Sequence, residues 1–323
     1  MNNRINPVKW RVSSSPHIRT AHTTRAIMLD VVIALIPAGI AGVCIFGARA
    51  AVIIALSVAS AVFWEALAQK IMKKPITVSD LSAVITGLLL AYNLPTSAPF
   101  WVPVVGTGVA IILVKQIFGG IGHNFVNPAL AARAILIVSW TGLLSGTAFV
   151  DASVSAAAGA TDAASFATPL ATTGASDYSL WQLFIGDIPG CIGEVSKLAL
   201  LAGAAYLLWR RVIDWRIPFS MLGTVFIMSW ISSGTLTGDV SSPVYQMLSG
   251  GLILGAFFMA TDYATSPITA TGRIIMGVGC GLLLFLIRSY SANYPEGFTF
   301  AILIMNLATP LIDRFTRPKV FGR

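Results

Sequence analysis

The chain has 323 residues, of which 56% are hydrophobic and only 11% are charged, and its formal net charge is +8. Soluble domains usually have about a quarter charged residues, so this composition excludes a large soluble domain and indicates a polytopic membrane protein. The basic residues lie in short loops between apolar runs, which is typical of cytoplasmic loops of membrane proteins, and we predict no nucleic-acid partner. Cys44, Cys191 and Cys280 are far apart and lack the spacing of a metal site.

Ten apolar segments follow one another along the chain. About 20 residues are needed to span the ~30 Å hydrocarbon core of a bilayer. The segments cover residues 26–47, 50–69, 80–95, 99–118, 128–146, 195–212, 217–234, 246–262, 273–291 and 297–313. The third and eighth are short and rich in Gly or Ser. The sequence therefore predicts an all-α polytopic membrane protein with about ten transmembrane helices, of which the third and eighth are short or broken.

The two halves of the chain contain similar short motifs. The third segment begins at Leu81-Ser82 and ends in Thr96-Ser97-Ala98-Pro99, while the eighth begins at Leu248-Ser249 and ends in Thr265-Ser266-Pro267. Similarities this short also arise by chance between apolar helices. Because each half has an odd number of segments, a duplicated unit would be inverted across the membrane, and paired broken segments are typical of such repeats. We predict two inverted five-helix repeats.

The distribution of charge predicts the orientation. Basic residues follow the second, sixth and tenth segments: Lys70, Lys73, Lys74, Arg210, Arg211, Arg216, Arg314, Arg317, Lys319 and Arg323. By the positive-inside rule these loops and both termini are cytoplasmic. The region from Ala134 to Ser196 has no Lys or Arg but contains four aspartates, so we expect it outside. A single membrane domain then comprises a cytoplasmic segment 1–25 without signal-peptide features, repeats 26–146 and 195–313, an extracytoplasmic loop 147–194 and a cytoplasmic tail 314–323.

The stretch Gly119–Ala129 is too polar and glycine-rich for a lipid-facing helix. Its candidate binding residues are Gly120, Gly122, His123, Asn124 and Asn127. Glycines permit close backbone approach, and asparagine amides both donate and accept hydrogen bonds. A tight turn that satisfies its own backbone is the alternative to a cofactor or ion contact. For the histidine, hydrogen bonding is favoured over metal ligation.

An Asn-Pro-Ala triplet also occurs in this stretch. Water channels have two such triplets that cap facing half-helices, whereas this chain has one. The single copy argues against that class.

Polar residues also end the eighth segment. Asp262 and Thr265 are candidates to anchor a ring or an ion, although a carboxylate near the end of a span is often simply solvated. Within the spans, Asp30, Glu65 and Arg133 are charged. A charge at mid-bilayer costs about 2.5–3.5 kcal/mol on insertion scales, so such residues are expected to face the bundle interior or to pair. Asp30 lies about one turn inside its span, and an interfacial position is the alternative for it. Structural pairing is favoured over an ion path, and contact with sister subunits is a further alternative.

The tract 162–170 in the predicted outer loop is small, polar and flexible, and it contains Thr168. It buries little apolar surface and is therefore a poor folding element. The threonine has no neighbouring Lys or His to activate it, so we predict no catalytic residue here. Its hydroxyl is instead a target for modification. Glycosylation or no modification are the alternatives from chemistry alone.

Together these motifs resemble those of a known family. Over essentially its full length the chain is similar to the D subunits of the Rnf ion-translocating electron-transport complex, and more distantly to the B subunits of the Na⁺-translocating NADH:quinone reductase. The matching stretches are 14–19, 27–30, 119–129, 188–194, 215–218, 259–269 and 294–297 through 321–322.

The resemblance implies a covalently bound cofactor, FMN in phosphoester linkage to a threonine. A flavin transferase that uses FAD as donor recognises the motif Asp-Gly-x-Ser/Thr-Gly-Ala-Thr. Asp162, Ser165, Ala167 and Thr168 match it, whereas Ala163 and Phe166 stand where the motif has glycine. The neighbouring Gly159-Ala160-Thr161 keeps the Gly-Ala-Thr core and is the alternative site. The turn 119–129 would pack around this flavin or around a second, non-covalent riboflavin or FMN.

The resemblance also implies the function. The chain would be part of a redox-driven translocase that passes electrons between ferredoxin and NAD⁺ while Na⁺ or H⁺ is moved, with no complete active site of its own. Expected partners are flavin, iron–sulfur and membrane subunits of the Rnf complex, the flavin transferase and membrane lipid. The expected location is the cytoplasmic (inner) membrane of a bacterium or archaeon. A passive channel or transporter for a small polar solute is the competing function, and a scaffold whose cofactors have been lost is a third alternative.

Overall fold

The computed structural model describes residues 23–144, 149–150, 165–166, 178–235, 241–290 and 297–317. Within these ranges the chain is almost entirely helical. The first half contains α1 (Thr24–Phe46), α2 (Ala48–Ile71), a 3₁₀ turn (Val78–Asp80), α3 (Ser82–Tyr92), α4 (Trp101–Gly108), which continues as a π-helix (Val109–Gln116), α5 (Pro128–Ser139) and α6 (Thr141–Leu144).

The second half has a similar sequence of elements. It contains α7 (Leu180–Ile185), α8 (Lys197–Trp209), α9 (Arg216–Ser233), α10 (Pro243–Leu248), α11 (Leu252–Leu254), a second π-helix (Gly255–Met259), α12 (Ala270–Tyr290) and α13 (Phe298–Thr316). Between the halves, β1 (Phe149–Val150) and β2 (Ser165–Phe166) pair antiparallel, with Phe149 opposite Phe166. The prediction of an all-α chain omitted this two-residue ladder, because the local sequence has no strand periodicity.

Four helices are long and apolar enough to cross a membrane, namely α1, α2, α12 and α13. The protein is therefore a multi-pass membrane protein. Each of the ten predicted apolar segments contains at least one helix. The third is the 11-residue α3, and the eighth is divided into α10 and α11 at Ser249–Gly251, where Gly250 has a φ of +63°.

The second long helix of the first half, α2, and that of the second half, α9, have similar packing partners. In the first half α2 packs against α3 and α4, and in the second half α9 packs against α10 and α12. The first helices of the two halves, α1 and α8, pack against each other. A glycine permits this contact, because a Cβ added at Gly203 of α8 would collide with the carbonyl oxygen of Ala34 on α1. The halves therefore meet through closely spaced backbones.

The segment that precedes α8 is buried, although it lies in the predicted extracytoplasmic loop. Residues 188–196 are all buried. The backbone N–H of Ile192 donates to the carbonyl of Leu94 (3.1 Å), and that of Gly193 donates to the carbonyl of Tyr92 (3.0 Å). The predicted loop thus ends in an irregular segment that is held within the protein, and two of its backbone N–H groups donate to carbonyls at and just after the end of α3.

Candidate functional site

A cavity lies between the two halves. Its volume is about 820 Å³, part of which is open to solvent. Apolar walls come from α1 and from the second π-helix, where Phe257 and Phe258 face the cavity. Polar groups come from both halves: Ser82, Thr86, Lys115, Asn124, Asn127, Thr261 and Asp262. Binding sites for small molecules usually combine apolar walls with a few convergent polar groups in this way.

The turn before α5 delivers two asparagines to this cavity. Gly119, Gly120 and Gly122 have φ values of +125°, +99° and +81°, a region of backbone conformation that side chains with a Cβ rarely adopt. These glycines let the chain reverse within a few residues of the first π-helix. The reversal brings Asn124 and Asn127 to the cavity wall.

Asn124 and Asp262 bring the two predicted motifs together. The Asn124 amide donates to Asp262 Oδ2 (3.3 Å) and to the Val126 carbonyl (3.1 Å). The Thr265 hydroxyl donates to the same carboxylate oxygen (3.3 Å). Residues 138 positions apart in the chain are thus joined at one edge of the cavity.

Asn127 has two structural roles. Its side-chain oxygen caps α5 by accepting from the N–H groups of Ala129 (3.0 Å) and Leu130 (3.3 Å). Its amide donates to the carbonyl of Met259 (3.2 Å), the last residue of the second π-helix. The residue therefore fixes both the start of α5 and the position of the opposite cavity wall.

Of the other predicted site residues, some lie apart and some are not described. Gly120, Gly122 and His123 shape the turn and do not line the cavity; the exposed His123 ring lies 3.3 Å from the Ile121 carbonyl. Asp162, Ala167 and Thr168 lie outside the described residues, as does Thr161. Ser165 belongs to β2, opposite Val150. The part of the chain that the structure describes contains no cluster suited to a metal ion.

Sequence reasoning missed one buried ion pair beside the cavity. Lys115 Nζ lies 2.7 Å from Glu65 Oε1, and the side chains are 4% and 1% exposed. The ammonium also donates to the Ser82 hydroxyl (2.6 Å), and the Gln116 amide donates to Glu65 Oε1 (2.9 Å). The charged partner of Glu65 is therefore Lys115, whereas Arg133, the other charged residue deep in a span, lies in a separate cluster. A lone lysine within the fourth apolar segment was the signal.

A second buried polar cluster lies where α3, α5, α8 and α13 meet. The Arg133 guanidinium donates to Asn93 Oδ1 (2.6 Å) and to Cys191 Sγ (3.8 Å), and it lies over the Phe298 ring at 4.7 Å from the centroid. Asn93 in turn contacts the sulfur of Met259 (3.7 Å). Arg133 therefore links the two halves.

Glu194 and Lys197 extend this second cluster. Both are almost fully buried. Glu194 Oε1 accepts from the backbone N–H of Cys191 (3.2 Å), and Lys197 Nζ donates to the carbonyls of Glu194 and of Gly250 (2.8 Å). The lysine thus donates a hydrogen bond to a carbonyl at the break in the eighth segment, outside any helix. No local sequence pattern indicates this pairing, because it depends on where the break falls in space.

Two further charged contacts lie at the ends of helices. Asp30 on α1 accepts from the Tyr206 hydroxyl (2.8 Å) and from Arg210 (3.2 Å). These bonds connect α1 to the C-terminal end of α8. Asp214 accepts from Arg216 (2.8 Å) and Arg273 (2.5 Å). Partial burial raises the pKa of Asp214, but hydrogen bonds from the Arg216 backbone and from both guanidinium groups outweigh this, and the pKa lies below its ordinary value.

The central cavity combines apolar surface with a few polar groups. Phe257 and Phe258 supply apolar surface, while Asn124, Asp262 and Lys115 supply donors and acceptors at its edge. Apolar walls with a few polar groups at the edge suit the described lining to binding and orienting a ligand.

Comparisons with known proteins agree on one family. The model of the NQR2, RnfD, RnfE family matches residues 11–322. The D subunit of the Na⁺-translocating ferredoxin:NAD⁺ oxidoreductase complex of Acetobacterium woodii is 49% identical over 98% of this chain and 97% of the relative. The D subunit of the proton-translocating ferredoxin:NAD⁺ oxidoreductase complex of Clostridium ljungdahlii is 41% identical over 97% and 96%, respectively.

A third relative is similar over almost the same length of chain. The D subunit of the ion-translocating oxidoreductase complex of Escherichia coli is 36% identical over 97% of this chain and 98% of the relative. The similarity thus covers both halves and the segment between them. The chain belongs to the NQR2, RnfD, RnfE family.

Proposed function

We propose that the chain is the membrane-embedded D component of an ion-translocating ferredoxin:NAD⁺ oxidoreductase, and that it transfers electrons through bound flavin. Near-full-length similarity to the D subunits of two such complexes supports the assignment. The relatives' names include one Na⁺-translocating and one proton-translocating complex. We therefore leave the transported ion as Na⁺ or H⁺. The other subunits of the complex are its proposed partners.

The central cavity is the proposed site of a non-covalent flavin, either riboflavin or FMN. The donor set fits the edge of an isoalloxazine, which has both acceptor atoms and an N–H. Lys115 can donate, Asp262 and the side-chain oxygen of Asn124 can accept, and Phe257 and Phe258 can cover the ring.

A second flavin, FMN, is proposed to be attached through its phosphate to Thr168 by a flavin transferase. The support is the match of Asp162, Ser165, Ala167 and Thr168 to the attachment motif. A covalent link prevents dissociation and keeps the ring at a high effective concentration near its redox partner. Phe166 pairs with Phe149 in the short ladder, so the position that departs from the motif has extended backbone, which phenylalanine adopts without strain.

Bound flavin would supply the capacity to accept and release one or two electrons. The chain's own residues bind and orient it. Asn127 holds the π-helical wall in place through the Met259 carbonyl, and Asn124 holds the Asp262 carboxylate at the cavity edge. The apolar walls shield one part of the ring from water. The protein thus positions a carrier, and the donor and acceptor sites belong to partner subunits.

The proposed topology has ten spans in two inverted five-helix repeats, 26–146 and 195–313. Its support is the matched packing of α2 with α3 and α4 and of α9 with α10 and α12, together with the pairing of α1 with α8. We further propose that the protein resides in the cytoplasmic membrane. Both termini, including 1–25 and 314–323, are cytoplasmic in this proposal, and the loop 147–194 is outside, as the basic residues favour.

Purified protein tests the flavin proposal directly. We expect yellow protein with flavin absorbance, and a fluorescent band that survives denaturing electrophoresis because one flavin is covalently attached. Denaturation should also release a second flavin in the supernatant. Colourless protein from cells that contain the transferase and the sister subunits would contradict the proposal and favour a passive channel for a small polar solute.

A further inference from the structure

Lys115 is the cationic side chain among the described residues that line the central cavity. It is buried, on the last turn of the first π-helix. A charge in such a place interacts strongly with a bound ligand, because the effective dielectric constant is far below that of water. Its contacts decide how much of that charge a ligand in the cavity would experience.

The ammonium retains one unused hydrogen-bond donor. Lys115 Nζ has three N–H groups, and in the described part of the chain two of them are directed to Glu65 Oε1 (2.7 Å) and the Ser82 hydroxyl (2.6 Å). The third has no protein acceptor there. A ligand in the cavity could accept this bond without displacing either existing one.

Only one of the two Glu65 carboxylate oxygens has hydrogen-bond partners among the described residues. Its Oε1 accepts from Lys115, Gln116 (2.9 Å) and Gln69 (3.4 Å), whereas its Oε2 is buried without a hydrogen-bond partner among the described residues. The glutamate does not line the cavity. It therefore lies behind the lysine and reduces the positive potential that reaches the ligand.

The π-helices place these groups at the cavity. One includes Lys115 and the other includes Phe257 and Phe258, so that each half contributes a π-helical segment to the same site. Inserted π-turns are uncommon and occur frequently at functional sites. In the first half the π-turn lets consecutive residues, Lys115 and Gln116, reach the same carboxylate oxygen. This geometry holds the lysine in one position.

We propose that Lys115 sets the reduction potential of the flavin in the central cavity, and that Glu65 attenuates its effect. The inference rests on the proposed function. An electron arriving from an iron–sulfur or flavin partner adds one unit of negative charge to the ring, which the ammonium stabilises and the carboxylate opposes. Removing the ammonium lowers the potential, and removing the carboxylate's charge raises it.

The test is a redox titration of the non-covalent flavin in the full chain, with Thr168→Ala as background so that this flavin is measured alone. Lys115→Met removes the charge at similar volume, Glu65→Gln removes the opposing charge, and Lys70→Met on the exposed end of α2 is the control. We expect Lys115→Met to reduce the equilibrium constant for one-electron reduction of this flavin at least tenfold, which corresponds to a potential lower by about 59 mV. Glu65→Gln should change it in the opposite direction, and Lys70→Met should leave it unchanged.

The opposite signs separate electrostatic tuning from structural support. Breaking a buried ion pair destabilises a protein whichever partner is removed, so a structural role predicts shifts of the same sign in the two variants. Shifts of the same sign, or a potential unchanged in both, would overturn the assignment of Lys115 while leaving flavin binding intact. A background protein that binds no non-covalent flavin would instead refute the proposed cavity site together with this inference.

Discussion

The Asn127 side chain donates to the backbone carbonyl of Met259 at 3.2 Å, across the boundary between the two halves of the protein. The bond joins the start of α5 to the end of the second π-helix. Because the same amide group caps α5, the position of the helix start and the position of the cavity wall are fixed by one side chain. Changes at this residue should therefore affect both stability and ligand binding.

Substitutions at Asn127 separate these two effects. Asn127→Ala loses the cap and the bond to Met259, and it should lower the free energy of unfolding by about 1–2 kcal/mol. Asn127→Ser retains a capping hydroxyl but is too short to reach Met259. Both should weaken binding of the non-covalent flavin, measured by equilibrium dialysis, whereas thermal unfolding should be closer to that of the unsubstituted protein for the serine variant.

A cap remote from the cavity provides the control. Ser179 caps α7 by accepting from the Gln182 N–H, and Ser179→Ala should leave flavin affinity unchanged. If Asn127→Ser bound flavin as tightly as the unsubstituted protein, the bond to Met259 would have no part in shaping the site.

Thr168 is predicted to be the covalent attachment site. Thr168→Ala should abolish the fluorescent band in denaturing gels, because a phosphoester needs the hydroxyl. The matched variant Thr161→Ala should keep it. Peptide mass spectrometry of the same preparations locates the modification. A band that persists in Thr168→Ala and disappears in Thr161→Ala would assign the attachment to Thr161.

The contact between α1 and α8 depends on Gly203. A Cβ there would collide with the Ala34 carbonyl oxygen, whereas nothing lies within 4 Å of a Cβ added at Gly223 on α9. We expect Gly203→Ala to lower stability by about 1–3 kcal/mol through overpacking. Gly223→Ala should not lower stability, because there is room for the methyl group and alanine favours the helix more than glycine does. Thermal unfolding in detergent measures both, and equal effects would show that the α1–α8 approach does not limit stability.

Asp214 should confer a pH-dependent contribution to stability. Its pKa is lower in the folded protein than its ordinary value of 3.8, so the contribution is present above that pH and is lost as the pH falls through the folded-state pKa. Because the arginine partners are partly exposed, Asp214→Asn should lower the melting temperature by only about 1–2 °C at neutral pH. The difference should diminish below pH 3.8.

Asp187→Asn is the control for this experiment, because Asp187 is exposed and its side chain forms no ion pair in the described structure. It should leave the melting curve unchanged at both pH values. A constant difference between Asp214→Asn and the unsubstituted protein across the acid range would contradict the assigned ion pairs.

Much of the fold follows from hydropathy. The segments predicted at 26–47 and 50–69 agree with α1 and α2 to within about two residues, because long apolar runs in a bilayer must form helices to satisfy their backbone groups. The two π-helices were not predicted. An α-helix and a π-helix have the same composition, and only the packing of neighbouring helices decides between them.

The candidate site was predicted in part. Asn124, Asn127 and Asp262 attracted attention because polar groups are rare in apolar segments, and the structure brings them together. Lys115 was overlooked because a single lysine near the end of a span is usually solvated. Its partner, Glu65, is 50 residues away in the chain, and no local sequence pattern indicates a pairing over that distance.

The sequence by itself determined that this is a helical membrane protein, which apolar segments have the length to span, and which family it belongs to. Those properties depend on composition and on local order along the chain. Only the tertiary structure decided that Asn124 meets Asp262, that Lys115 pairs with Glu65, and that Lys197 lies on the carbonyl of Gly250. Such contacts join residues far apart in the chain, so they depend on how helices pack, and helix packing is set by the shapes of whole surfaces.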